Sequence, residues 1–294
     1  MKKNNLKYPV GVIDVGSNSV RLMIADGIFI KKNLIITRLG SGFLSDGSLS
    51  ASSMLLTVNA IKELKDLAEK NGAIKVFAFA TAAVRKAKNQ KDFISLVKEV
   101  CSLDLDVVSG DLEAELSLSG ALKGESGAVI DIGGASSEIA FSNGEKTLFK
   151  HSYNVGAVTL FNGYERRESD IDNYLDTVIV KSGECTSDVV KAVGGTATSL
   201  AVISLKLNKY DPTLVNGHYI SKDKLIKLKD YLYSVSPEIL AETYAVERKR
   251  ADIIAGGASI LLKLLNVYDL KGVTVSESDN LEGYLDYVKG KYER

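Results

Sequence analysis

The feature that most constrains this 294-residue chain is an internal repeat. Gly11-Val12-Ile13-Asp14-Val15-Gly16 matches Ala128-Val129-Ile130-Asp131-Ile132-Gly133, 117 positions later. The register holds beyond that core: Ser19 falls on Ser136, and Asp26-Gly27 falls on Asn143-Gly144. Each copy reads as a buried strand that delivers a carboxylate to a glycine turn, followed by a strand returning through an Asx-Gly hairpin. Glycine leaves the backbone N–H groups of such a turn free to face an anion. Duplication on this scale implies two similar halves facing each other across a cleft, each presenting an Asp and a glycine turn. Two ordinary buried hairpins are the plainer account, and the length of the matched register argues against it.

The pattern around the repeat supplies the elements. Strand patterns at Tyr8 to Asp14, Val20 to Asp26 and Ile28 to Leu39 precede any helix. Met54, Val58, Ile61, Leu64 and Ala68 then recur at helical spacing until Asn71-Gly72. Lys75 to Ala80 predicts a strand, Phe93 to Val100 a helix, Asp104 to Val108 a strand and Leu112 to Leu122 a helix, so the order is βββαβαβα. Residues 127–153 restart that order, and a helix pattern follows at Ile171 to Val180. Lys191 to Val193 opens onto a third glycine turn, Gly194-Gly195-Thr196, ahead of a helix at Leu200 to Leu207. Arg250 to Leu265 is apolar nearly all round and predicts one buried helix; Val273 to Ser276 predicts a last strand. The expectation is an α/β chain of two lobes, 1–125 and 126–294, with a terminal helix at about 281–292 packing back on the first lobe.

Composition narrows the function classes. Lys+Arg and Asp+Glu number 37 each, so no net field draws the chain to DNA or a membrane, and a polyanion has to be met by a local groove. With 45% hydrophobic residues and three prolines the chain reads as globular throughout. Cys101 and Cys185 have neither zinc nor disulfide spacing, and the N-terminal stretch lacks the apolar core of a leader, so a cytoplasmic protein with reduced thiols is expected. His151 and His218 each lack a second His or Cys at metal spacing.

Duplicated βββαβαβα halves with Asp-bearing hairpins resemble the actin-like ATPase (ribonuclease H-like) fold of actin, sugar kinases and heat-shock chaperones. Within it the chain resembles the exopolyphosphatase/guanosine pentaphosphate phosphatase family from Val10 to about Leu285. The matching motifs are IDVGSNSVRL at 13–22, TAAVR at 81–85, SGDLEAEL at 109–116, DIGGASSE at 131–138, GGTATSLA at 194–201 and ERKRADIIAGG at 247–257. The resemblance implies a short form without the C-terminal helical domain of longer members, and it is compatible with a homodimer.

That resemblance assigns roles. Glu113 occupies the place of the glutamate that activates the attacking water; a first-turn Glu that merely complements the helix dipole is the bland alternative, and Glu115 the nearest competitor. Arg85 matches the arginine that contacts the scissile phosphate, although Arg85, Lys86 and Lys88 also read as a basic helix start. Asp14 and Asp131 suit Mg²⁺ through hard oxygen ligands, and Glu138 would orient water unless it lies on a solvated strand face. Ser17, Asn18, Gly133, Gly134 and Ser136 would line two phosphate turns, and Gly194, Gly195 and Thr196 a third. Ala135 departs from the family's three-glycine turn, and because Ala disfavours positive φ a less open loop is expected. Arg166-Arg167, Lys206, Lys209 and Arg248-Lys249-Arg250 are basic clusters that either track a long polyanion or are solvated faces.

The implied activity is Mg²⁺-dependent release of terminal phosphate from inorganic polyphosphate, with guanosine pentaphosphate as the alternative substrate. A sugar- or acetate-type kinase and an actin-like nucleotide switch are the rivals from other classes. SGDLEAEL at 109–116 argues against both.

Overall fold

The strands assemble as two sheets built on one plan. β1 (Val10–Val15), β2 (Ser19–Ala25) and β3 (Ile30–Ile36) run as an antiparallel meander; β4 (Lys75–Ala80) and β5 (Leu105–Val107) extend it in parallel, in the order β3-β2-β1-β4-β5. The second sheet repeats this with β6 (Ser126–Ile132), β7 (Ser137–Asn143), β8 (Thr147–Tyr153), β9 (Val190–Val193), β10 (Tyr219–Ser221) and β11 (Gly272–Val275). Read from β8 its order is β8-β7-β6-β9-β11, with β10 antiparallel at the edge. This is the strand order of the actin-like, ribonuclease H-like fold, present twice. The computed structural model describes residues 7–27 and 30–292; Ile28, the start of the third expected strand, lies outside them.

The repeat survives in backbone detail. Gly16 N donates to the Ser19 carbonyl at 3.0 Å, and Gly133 N donates to the Ser136 carbonyl at 3.0 Å. Gly27 and Gly144, the hairpin glycines 117 positions apart, have φ of +95° and +91°.

The first sheet carries α1 (Ala51–Lys70), α2 (Ala82–Lys86), α3 (Gln90–Cys101) and α4 (Gly110–Leu122). Ser50 caps α1 by accepting from Ser53 N, and Ile13, Val15 and Val20 meet Val58, Ile61 and Phe93 in one core. The second sheet carries α5 (Ala157–Tyr164), α6 (Glu168–Val178), α7 (Gly194–Ser204), α8 (Pro212–Val215), α9 (Lys222–Ser234), α10 (Pro237–Thr243), α11 (Arg248–Ala251), α12 (Ile254–Val267) and α13 (Asn280–Tyr292). The helix expected as one piece from Arg250 to Leu265 is broken between α11 and α12, where the Asp252 carboxylate takes hydrogen bonds from Arg38 and Arg248. Among the described residues no helix is long and apolar enough to cross a membrane.

α4 is the helix that joins the halves. Its Ala114, Leu118, Ala121 and Leu122 bury against Val129, Ala140 and Val193 of the second sheet. Its Leu116 joins Val10, Val12, Met23 and Phe79 of the first sheet and Leu281, Tyr284, Leu285 and Val288 of α13. α13 thus returns to the first sheet, where Tyr284 stacks on Phe79 with ring centroids 4.4 Å apart.

The α4–α13 crossing is as close as backbones allow. A Cβ on Gly283 would lie 1.9 Å from the Leu116 carbonyl oxygen, and one on Gly120 would lie 1.8 Å from the Asp279 carbonyl oxygen. Neither neighbour is a flexible side-chain tip, so a methyl group forces the helices apart. Gly283→Ala is expected to destabilise the protein by at least about 2 kcal/mol in chemical unfolding, against a typical overpacking cost of about 1–3 kcal/mol. A wild-type unfolding midpoint in that variant would contradict the close crossing.

Candidate active site

The three glycine turns and three carboxylates meet in a cavity of about 660 Å³ between the sheets. Asp14, Ser17 and Asn18 line it from the first turn, Asp131, Gly133 and Gly134 from the second, and Gly194, Gly195 and Thr196 from the third, with Glu113 beside them. Arg85, Ser136 and Glu138 do not line it; Arg85 and Glu138 act on it through Glu113.

Local backbone explains the turns. Gly194 has φ +79°, and a Cβ there would lie 2.8 Å from Asp131 Oδ1, so glycine is required twice over. It is the first residue of α7, which therefore starts at the glycines and not at Leu200 as expected; the open N–H groups of that helix face the cavity. Thr196 Oγ1 donates to the Ile132 carbonyl at 3.2 Å, tying the third turn to the end of β6. In the second turn the need is for space. A Cβ on Gly134 would lie 2.7 Å from the Ser17 Cβ, where the two repeated turns touch. Ala135 is not among the residues with positive φ, so the ground for expecting a less open loop, a methyl group at positive φ, does not hold.

Glu113 sits in the first turn of α4, where Ser109 caps the helix by accepting from Leu112 N. It is 5% exposed, which removes the solvated alternative. Its Oε2 accepts from Arg85 Nη1 at 2.9 Å, and the same nitrogen donates to the Val108 carbonyl at 2.8 Å. In this arrangement Arg85 is the counter-charge of a buried carboxylate. Burial first, then the charge of Glu138, push the Glu113 carboxyl well above its usual range against the pull of Arg85. Glu115 points elsewhere, to Lys150 Nζ at 2.6 Å.

Glu138 is 1% exposed, so the solvated strand face is also excluded. Its Oε1 accepts from Ser152 Oγ at 2.7 Å, while Oε2 is buried without a partner. Burial, then the charge of Asp131, push it up to about 7. Asp131, whose Oδ2 accepts from Ser117 Oγ at 3.0 Å, is pushed up to about 6 by burial and by Asp279, against Arg21.

Asp14 belongs to a network that sequence reasoning missed. Arg21 Nε and Nη2 donate to Asp14 Oδ2 at 3.0 and 2.6 Å, and the guanidinium also bonds Asp279 and Asn280. Burial raises the Asp14 carboxyl in spite of Arg21, whereas Arg21 and Lys32 overcome burial at Asp279 and hold it below its usual value. The signal for Arg21 lay in the repeat: it faces Asp14 across β1–β2 as Glu138 faces Asp131 across β6–β7. Asp279 and Asn280 had no signal beyond following the last strand.

The basic clusters disperse. Arg248 pairs with Glu238 and Asp252, and Arg166 donates to the Val235 carbonyl at 2.8 Å. Arg250 alone of these lines the cavity. It lies against Gly195, on which a Cβ would meet Arg250 Nη1 at 2.1 Å, and among the described residues no carboxylate closes an ion pair with it.

Magnesium was expected from the carboxylates, and the donor set suits it. Asp14 Oδ1 and Asn18 Oδ1 are hard oxygens, buried and without hydrogen-bond partners, in the cavity that Asp131 also lines, and the unpartnered Glu138 Oε2 lies outside its lining. Among the described residues no three His, Cys, Asp or Glu side chains form a ready cage.

Known proteins share this architecture. Exopolyphosphatase 2 of Mycobacterium tuberculosis is 27% identical over 308 residues, 93% of this chain and 96% of its own length. The bifunctional 3-dehydroquinate synthase/phosphatase of Fusobacterium nucleatum is 26% identical over 312 residues, 95% of this chain, and the chain spans 46% of that protein. The crystal structure of the Aquifex aeolicus member of the Ppx/GppA family superposes with a TM-score of 0.78 at 28% identity, covering 97% of this chain and 98% of its own. The description of the Ppx/GppA phosphatase family matches residues 23–289, so the chain belongs to that family.

Proposed function

We propose that the chain is a Mg²⁺-dependent phosphohydrolase that releases terminal phosphate from inorganic polyphosphate. The observation that carries this is the convergence of Asp14, Asp131, Glu113 and three glycine turns on one cavity. Backbone N–H groups of Gly134 and of the turn at 194–196 seat the terminal phosphate, and the Arg250 guanidinium holds the adjacent part of the polyanion. Glu113 takes a proton from the water that attacks phosphorus; the phosphoanhydride P–O bond breaks, and its electron pair leaves on the departing phosphate oxygen. Arg85 keeps Glu113 aimed by donating to its Oε2, and the charge of Glu138 raises the proton affinity of Glu113. Asp14 and Asp131 would hold magnesium, which supplies neutralisation of phosphate charge.

A second substrate reading has its own support. Val202, Ala241, Tyr244, Val246 and Ile253 line the same cavity, and an inorganic chain has no apolar surface to place against them. A nucleoside does, which favours guanosine pentaphosphate. Phosphate release with and without Mg²⁺ from polyphosphates of several lengths, guanosine pentaphosphate and ATP separates the two readings. Release from none of them would end both.

Two predictions follow from the carboxylates. Glu113→Gln is expected to lower kcat by about a thousandfold, the middle of the range for general-base catalysis, with the fold retained, because Arg85 keeps its bond to the Val108 carbonyl. Undiminished turnover would remove Glu113 from its role.

The pH dependences of activity and of metal-free stability run in opposite directions. Activity needs the ionised carboxylates, so it is expected to fall as pH drops through about 7, where Glu138 protonates. Stability behaves otherwise, because between the ordinary 4.5 and about 7 the folded Glu138 binds a proton that the unfolded chain has released. Asp131, raised from 3.8 to about 6, adds in the same sense. Raising the pH from 5 to 7.5 should therefore lower the metal-free melting temperature, on the order of 1 kcal/mol per titrating carboxylate. A melting temperature that rises across this window would refute the assigned burial of these groups.

A further inference from the structure

Lys86, the last residue of α2, crosses the cleft: its Nζ donates to the Ala135 carbonyl at 2.6 Å. The internal repeat makes this contact informative. Asn18 holds the place of Ala135 in the first turn, and its carbonyl accepts from Thr37 N and Arg38 N, at 3.1 and 2.9 Å, within its own half. In the second turn the Gly133 carbonyl accepts from Ala157 N, and the Gly134 carbonyl from Val158 N and Thr159 N, again within its own half. Among the described residues the donor to the Ala135 carbonyl is Lys86, from the other half. Ala135 is 1% exposed with Lys86 in place, so an apolar side chain of the same length there would leave its carbonyl without this donor.

The first turn is therefore complete by itself, and the second only when the two halves are closed on each other. Burial and the neighbouring Arg85 depress its ammonium, while Glu138 and Glu113 act the other way.

We propose that Lys86 is a positioning residue that completes the 133–136 turn from across the cleft and so couples closure of the two halves to the seating of the phosphate. The kinetic part rests on the phosphohydrolase reading; the structural part does not. The test uses the full chain with Lys86→Met, which keeps the length and loses the donor, and Lys86→Arg, which keeps a donor.

Hydrogen exchange, measured without substrate or metal, is expected to be at least about tenfold faster in Lys86→Met at Ala157, Val158, Thr159 and the 133–136 turn. The amides of α1 and α12 should be unchanged, and Lys86→Arg should resemble wild type. With substrate, Lys86→Met is expected to lower kcat about tenfold and to change KM by less than about twofold, and Lys86→Arg to restore most of kcat. Wild-type protection of the turn in Lys86→Met overturns the proposal. So does faster exchange throughout the chain, which makes Lys86 a general stability residue, and so does a raised KM with kcat intact, which makes it a substrate contact. If wild type releases no phosphate from any substrate, the functional reading fails and the exchange experiment still decides the role of Lys86.

Discussion

The site depends on one helix being buried from two sides. α4 packs on the second sheet through Ala114, Leu118 and Leu122, and on the first sheet and α13 through Leu116. A helix enclosed in this way cannot slide or rotate without opening two cores, each of which holds side chains at close-packed density. Glu113 stands in its first turn and Ser117, which bonds Asp131, one turn further along. The position of the candidate base relative to the second turn is thus set by core packing. The glycine crossing of α4 with α13 extends this to Asp279, whose carbonyl lies over Gly120 and whose carboxylate bonds Arg21. Glu113, Asp131 and the Arg21 network are in effect attached to one rigid layer.

Duplication built the cavity, and divergence between the copies gave it chemistry. Both halves present an Asp at the end of the central strand and a glycine turn with the same hydrogen bond. Opposite those aspartates, the first half has Arg21 and the second has Glu138. Asp14 is consequently compensated by a cation, while Asp131 faces another carboxylate and both are driven towards protonation. Burial raises Asp14 as well, against the pull of Arg21, whereas at Asp131 and Glu138 the neighbouring carboxylates add to burial. Glu113 feels the charges of Glu138 and Asp131 from that second half, where a group poised to take a proton is useful.

The legible parts of the fold were those written twice or strongly periodic. β1, β2, β6 and β7 were placed by the repeat, and α1 by Val58, Ile61, Leu64 and Ala68 at helical spacing. The stretch 208–246 was not read, although Asp211-Pro212 and Ser236-Pro237 are capping signals for α8 and α10. Those helices are too short to show periodicity, and β10 has three residues. At the site, the lining residues of the three turns followed from motif and repeat. The Arg21–Asp279 pair spans 258 positions and Lys86–Ala135 spans 49. Contacts at such separations have no local signature, since they exist only once sheets and helices have stacked.

The cavity carries its charges at a cost that the rest of the protein must offset. Glu113, Asp131 and Glu138 are each taken from water into an apolar setting with fewer cations than carboxylates, and an unpaired buried charge is resolved by binding a proton. In a chain of zero formal net charge this imbalance is local and built by the fold. The pairs that do relieve it, Arg85 with Glu113 and Arg21 with Asp14 and Asp279, leave Asp14 Oδ1 and Glu138 Oε2 unpartnered. Replacing such carboxylates by neutral isosteres should strengthen folding, so their presence has to be understood through what the cavity binds. A phosphate chain alone would add to the repulsion, and a proton or hard cation arriving with it would remove it. The electrostatics therefore favour a site that holds its anion together with a counter-charge over one that binds a bare polyanion.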